Sequence, residues 1–399
     1  MSMVTVNQSI IKMLFWMNVT FSQPQIRHIV RFVHGIILAP GKRTVSNIHR
    51  VNLMDRDASC YTRFLKESPW NEQQLQQKRM DWVRRFLLKR KDPGSVGFLL
   101  IDDTCNPKHP TTSRIEGLDF HYSHCEHQQV WAHSIVTSHL ISHGISLPLD
   151  FRVYRRQPDC ENHDVPFHSK VDLAKELIQT CDPIDDRMYV LGDSWYSNEK
   201  VISACDRRGF FYIGGLKMNA IVYPWGHRSS VKMLAHSLRP EDLHSVTVAG
   251  KRYDVFVYEG KVSKINNAQV ILSWENGYHP NELPFVLVCT DVSLDPVTVL
   301  TYYGKRWEIE TGYRYLKENQ GFDQYQMRSL KAIRRFWVLQ FLAYIYLEIQ
   351  RDQHQFSTLG EVLHQERQAY LGRLMMYAYE QGLKRVPAKH MLHDFGLTA

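Results

Sequence analysis

The sequence predicts an α/β protein with a mixed-sheet core, a β-rich insertion, a helical region in front and a helical tail behind. Three observations carry this. Apolar residues recur at helical spacing early in the chain, as in Gln25 to Leu38 with Ile26, Ile29, Val30, Val33 and Ile37. From Gly97, short continuous apolar runs alternate with amphipathic stretches, which suits strands buried on both faces. Residues 217–294 break into many short β-like segments before helical periodicity returns. The predicted segments are 1–93, 94–216, 217–294, 295–352 and 353–399.

In the first segment, 42–70 reads as short helices with turns, and 71–91 as a longer polar helix. That helix ends in Arg84, Arg85, Lys89, Arg90 and Lys91, a cluster suited to a phosphate backbone or to a solvated face. Asp92-Pro93-Gly94 breaks it. Phe98-Leu99-Leu100-Ile101 is then a buried strand running into Asp102-Asp103-Thr104. Residues 129–141 and 144–154 form a hairpin about Ser142-His143, followed by a helix over 169–180 and a strand over 187–191 that ends at Gly192-Asp193-Ser194. A helix over 198–208 and a strand over 210–213 complete a β-β-β-α-β-α-β order. Within the insertion, 245–248, 253–258, 268–274 and 284–290 read as strands. A long apolar helix covers 329–350, and the tail reads as helices with a basic, His-containing end.

The 399 residues suffice for two or three domains. A net charge of +8 favours a polyanionic partner such as nucleic acid. The seven cysteines are scattered, odd in number and without a C-x-x-C pair, which suits free thiols in a reducing, cytoplasmic compartment. No apolar run reaches membrane-spanning length, and the short N-terminal run interrupted by Lys12 reads as a helix rather than a signal.

The stretch Tyr303 to Lys317 predicts one helix, with Asp295-Pro296 as its start and Gly321 as its stop. At about 100° per residue, Tyr303, Arg306, Glu310 and Lys317 fall within roughly 60° of each other, and Glu308 points about 140° away from Tyr303. That face is either a solvated ion-pair face or a metal-ligating carboxylate set among phosphate-gripping groups. The two strand-end aspartates decide between them. Ligand sites of open sheets lie off the carboxyl ends of strands, so Asp102, Asp193 and Glu310 are expected to converge. Three carboxylates make a hard-oxygen site for Mg²⁺ or Mn²⁺, and two such ions support in-line phosphoryl displacement.

Tyr303-x2-Arg306-x3-Glu310-x6-Lys317 resembles the Y-R-E-K signature of bacterial insertion-sequence transposases of the DDE class. Leu100 to Thr104 resembles their first-aspartate strand, and Val190 to Tyr196 their second. The resemblance spans about 97–350. It implies an RNase H-like core interrupted between the second Asp and the Glu, and cut-and-paste DNA transposition. Asp102 stands two before a Thr, as the first catalytic Asp of that pattern usually does. Asp103, on the opposite strand face, is the alternative.

The resemblance further implies that Asp102, Asp193 and Glu310 hold two Mg²⁺ or Mn²⁺ ions, and that Tyr303, Arg306 and Lys317 contact phosphates at the cut. Trp274 in the insertion is either core or a stacking residue for a flipped base. Arg84, Arg85 and Lys89 are expected on DNA, the partners being double-stranded terminal repeats, target DNA and a second copy in a homodimer. The cluster His121, His124, Cys125 and His127 matches no standard zinc spacing. Lys108, Arg114, Arg152, Arg155 and Arg156 are DNA contacts or solvated. Two readings stay open beside transposition: a paired-carboxylate hydrolase, which leaves Arg306 and Lys317 without a role, and a catalytically inactive, transposase-derived DNA-binding protein.

Overall fold

The computed structural model describes residues 8–52, 57–112, 114–123 and 127–394. His124 and Cys125 of the histidine cluster lie outside them. Helices come first: α1 (Gln8–Trp16), α2 (Gln23–Leu38), α3 (Val45–Arg50), α4 (Ala58–Lys66) and α5 (Glu72–Leu88). Asn71 caps α5 by accepting from the amides of Gln73 and Gln74. Next come β1 (Val96–Pro107), β2 (Asp119–Ser123), β3 (Gln128–Ser142), β4 (Ile145–Tyr154), α6 (Gln157–Asn162), α7 (Lys170–Thr180), β5 (Arg187–Gly192), α8 (Glu199–Arg208) and β6 (Phe211–Gly215). The hairpin between β3 and β4 turns on His143 and Gly144, both at positive φ.

The insertion holds β7 (Ile221–Val222), β8 (Ser229–Ser230), α9 (Val231–Ser237), β9 (His244–Val248), β10 (Lys251–Val262), β11 (Ile265–Glu275) and β12 (Phe285–Cys289). After it come α10 (Pro296–Gly304), α11 (Trp307–Gln320), α12 (Leu330–Gln353), α13 (Leu359–Leu383) and α14 (Ala388–Asp394).

The strands form one mixed sheet in the order β2-β3-β1-β5-β6-β12-β11-β10-β7-β8, with β4 also on β3 and β9 on β10. β1, β5 and β6 are parallel; β3 runs antiparallel to β1, and β12 antiparallel to β6. Strands β7 to β12 therefore continue the same sheet through β6.

Alternation along the strands divides the interior in two. Phe98, Leu100, Tyr189, Leu191 and Ile213 face Val299 of α10 and Ile309 of α11. Leu99, Ile101 and Val190 face the other cluster, which also takes in α7, α12 and the N-terminal helices. Those N-terminal helices share this core with α12. Arg335, buried in α12, donates to the carbonyls of Leu65 at 3.1 Å and Ser68 at 2.8 Å and to that of Trp70, and pairs with Glu72 at 3.1 Å. The N-terminal helices and α12 thus pack against each other.

Candidate active site

The site grows from a register. β1 and β5 pair in parallel up to Ile101 opposite Gly192. The next residues are Asp102 and Asp193, so the ladder itself delivers two carboxylates side by side. The sequence reading ends the first strand before Asp102, but β1 runs on to Pro107, paired on that stretch only with β3. Gly192 is required at the exit, because a Cβ there would stand 2.7 Å from the Tyr212 hydroxyl. Asp193 then turns the chain by accepting from the amides of Trp195 at 2.9 Å and Tyr196 at 3.3 Å.

The expected single helix from Asp295 to Gly321 is two. The Asp295 cap is present, accepting from the Thr298 amide at 3.0 Å, and Gly321 terminates α11 at φ 67°. Between them, the amides of Lys305, Arg306, Glu308 and Ile309 each bond three residues back. This tight turn separates α10 from α11 and leaves Arg306 as the cap residue just before the second helix.

Arg306 then reaches both ways. It donates to Asp102 Oδ2 at 3.3 Å and to Glu310 Oε1, one turn on, at 2.7 Å, and its guanidinium carbon lies 5.8 Å from the centre of the Tyr303 ring. Burial opposes its charge, but Tyr303, Asp102 and Glu310 outweigh that and hold its pKa above the ordinary value. Lys317 Nζ donates to Thr104 Oγ1 at 2.7 Å and to the Cys105 carbonyl at 2.8 Å. Asp102 and Thr104 share a face of β1, and α11 covers that face.

The two adjacent aspartates differ sharply. Asp103, on the opposite face, is met by Lys170 Nζ at 2.5 Å and the Tyr196 hydroxyl at 3.0 Å. Asp102 is pushed up to about 7: burial is the main cause, Asp103 and Asp193 add to it, and the Asp103 amide and Arg306 oppose it. Tyr303 is also raised, by burial first and then by Asp193 and Asp102, with Arg306 working the other way.

Half-buried carboxylates, with a cation between two of them, are a donor set that suits a hard divalent ion. Among the described residues, no three His, Cys, Asp or Glu side chains stand close enough to share an ion as they are; the Arg306 guanidinium lies between Asp102 and Glu310.

Trp274 is the clearest correction. Its side chain is 3 % exposed, packs edge-on against Tyr278 and donates from Nε1 to the Glu282 carbonyl at 2.8 Å. It is insertion core, with no face to offer a base. Lys108 is tied down too, donating to the carbonyls of Asp323 and Tyr325. Arg152, Arg155 and Arg156 are paired with Asp150, Asp159 and Asp119. Arg84 and Arg85 are exposed, Arg84 standing 3.6 Å from Asp182, and Lys89 is an exposed residue at the end of α5.

Three residues near the site escape the sequence reading. Lys170 pairs with Asp103 and Tyr196 donates to it, and Tyr313 bonds Thr137 at 2.5 Å, opposite Asp102 on β3. Tyr196 and Tyr313 lie inside the stretches that carry the resemblance, but only the tertiary fold gives them partners.

No curated protein matches the chain. Residues 20–240 match the family described as DDE superfamily endonuclease, a span that takes in Asp102 and Asp193 and stops short of α11. With more than half of its length matched, the chain belongs to the DDE superfamily endonuclease family.

Proposed function

We propose that this protein is a transposase of the Y-R-E-K group. It cuts DNA at the ends of a mobile element and joins those ends to target DNA. The observation that carries the reading is the single guanidinium of Arg306, shared by Asp102 at the end of the parallel ladder and Glu310 on α11. It links the first aspartate-bearing strand exit to the third carboxylate.

In this reading Asp102, Asp193 and Glu310 hold divalent cations, Mg²⁺ or Mn²⁺. Such ions would activate the attacking hydroxyl and stabilise the leaving oxygen. Asp103, already paired with Lys170 and accepting from Tyr196, keeps the opposite face of β1 fixed. Arg306, released from the carboxylates, turns to the scissile phosphate, with Tyr303 and Lys317 on the same side. The exposed Arg84, Arg85 and Lys89 contact the phosphate backbone of the element end. Cutting two ends together requires two such sites, hence a homodimer on paired ends. The complete carboxylate set weighs against an inactive descendant.

The test is cleavage of the DNA that flanks the gene. Asp193→Asn and Glu310→Gln should each lower cleavage on the order of a thousandfold or more while leaving DNA binding largely intact. Full cleavage by both variants would refute the reading.

A further inference from the structure

Past Ile101, the even-numbered face of β1 does more than deliver Asp102. Residues 102, 104, 106 and 108 share one face of the strand, and each is bonded to α11 or to the turn after it. Arg306 donates to Asp102 at 3.3 Å, and Lys317 to Thr104 at 2.7 Å. Asn106 Nδ2 donates to the Phe322 carbonyl at 3.0 Å. Lys108 stays on the ladder through its amide, which donates to the Trp131 carbonyl at 2.7 Å. Its Nζ donates to the Asp323 carbonyl and, at 2.8 Å, to that of Tyr325. The partners rise in number as the strand residues do, so strand and helix run the same way, fastened at intervals. Their reach matches: from 102 to 108 the strand advances about 20 Å, and from Arg306 to Gly321 the helix advances about 22 Å.

The helix has little else to fix its place. Its buried residues are Ile309, Gly312, Leu316 and Gln320, of which Ile309 and Leu316 alone are large and apolar. Apolar contact is non-directional and lets a helix slide or turn, whereas a hydrogen bond names its atoms. Tyr313, bonded to Thr137, holds the middle of α11. Arg306 and Lys317 are the two cations that the DNA-cutting reading turns to phosphate. Asn106 and Lys108 are then the fastenings on this face of β1 that outlast DNA binding.

The surroundings of both residues agree. Asn106 is fully buried, and its Oδ1 meets no donor among the described residues, so a polar side chain is kept there for one bond. Lys108 Nζ lies 3.7 Å from the centre of the Tyr325 ring, and the Tyr325 hydroxyl is bonded to His133 Nδ1 on β3 at 2.6 Å. This ammonium faces two carbonyls and a ring that is itself tied to the sheet.

We propose that Asn106 and Lys108 are positioning residues: they hold α11 in place along β1, and so keep Glu310 near Asp102 once Arg306 and Lys317 have turned to DNA. This rests on the DNA-cutting reading above, and adds to it two residues that touch neither cation nor phosphate.

The experiment compares Asn106→Leu and Lys108→Met with the parent, all as full-length protein. Asn106→Leu keeps the shape and leaves the Phe322 carbonyl its other donor, Trp337 Nε1 at 3.0 Å, so its melting temperature should stay close to the parent's. Calorimetry with Mn²⁺ alone should show each variant binding about five- to thirtyfold more weakly, the worth of one or two hydrogen bonds. Cleavage of the DNA that flanks the gene should lose kcat by at least a similar factor, with KM and DNA affinity unchanged. Lys108→Arg, which can still donate to both carbonyls, should restore most of the loss. A bond that only stabilised the fold would lower the melting temperature and leave the Mn²⁺ affinity of the folded protein alone. Parent-like Mn²⁺ affinity and kcat in both variants would overturn the proposal. So would weaker DNA binding by Lys108→Met at unchanged kcat, which would make Lys108 a phosphate contact. Hydrogen exchange without metal or DNA reads the helix itself: amides of 307–320 should exchange about fivefold faster or more in both variants, and those of α12 at the parent's rate. A parent that neither binds Mn²⁺ nor cuts DNA would overturn the DNA-cutting reading, while parent-like exchange in α11 of the variants would overturn the positioning role.

Discussion

Arg335 and Arg306 are both largely buried guanidiniums, one on the helical side of the molecule and one at the catalytic edge, and their partners differ in kind. Arg335 holds backbone carbonyls at the end of α4 and before α5, together with Glu72, and lies 4.6 Å from the Trp70 ring centre. Those partners are main-chain carbonyls fixed by the helices around them, so the cation is a permanent part of the fold. Arg306 holds two carboxylates, Asp102 and Glu310, which another cation could take. In the proposed reading the same side chain is a fastening in one region and a placeholder in the other.

Removing each should separate these roles. Arg335→Met should cost about 3–5 kcal/mol, because it strands buried carbonyls and the Glu72 carboxylate. Arg306→Met should cost less than about 1 kcal/mol near pH 6, since Asp102, already titrating near 7, takes a proton instead of remaining a bare charge. Urea denaturation of the two variants measures the difference. Equal losses would erase the distinction.

A smaller effect sharpens the comparison through pH. An aspartate in the unfolded chain titrates near 3.9, and Asp102 in the folded protein near 7. Between these values the folded state keeps a proton that the unfolded state releases. Stability from this group is therefore full below about pH 4 and is lost as pH rises through about 7, by a few kcal/mol at most. Without divalent ions, Asp102→Asn should be more stable than the parent at about pH 8 and no more stable at about pH 4. Adding Mn²⁺ should raise the melting temperature of the parent at about pH 8 and leave the variant less changed. A melting difference that is the same at both pH values would contradict the charge assignment.

The smallest effect concerns exposed cations at the end of α5, Lys89 and, beside Asp182, Arg84. Arg84→Ala and Lys89→Ala should each shift stability by less than about 0.5 kcal/mol. If each touches a phosphate, the slope of log affinity against log salt should fall by about one per residue. An unchanged slope would take the α5 cluster out of the DNA interface.

Much of this was legible in the sequence because it is local. The apolar run before Asp102, the Gly-Asp exit of β5, the Asp295 cap and the Arg306–Glu310 spacing all depend on residues a few positions apart. What was not legible depends on distant partners. Nothing near Trp274 signals that Glu282 will take its indole N–H, and nothing near residues 64–72 signals Arg335. The extension of β1 past Asp102 is also invisible locally, since polar residues are held there by β3 on one side while β5 has already ended. The helix wheel correctly put Arg306 with Glu310, but it assumed one uniform helix and so missed the tight turn at Lys305.

That early ending of β5 has a consequence for Lys317. Beyond Ile101, one margin of β1 has no neighbouring strand, and the Lys317 ammonium plugs the notch by holding Thr104 and the Cys105 carbonyl. The ammonium is half-buried and already holds two oxygens, so an incoming anion has to compete with this strand margin for it.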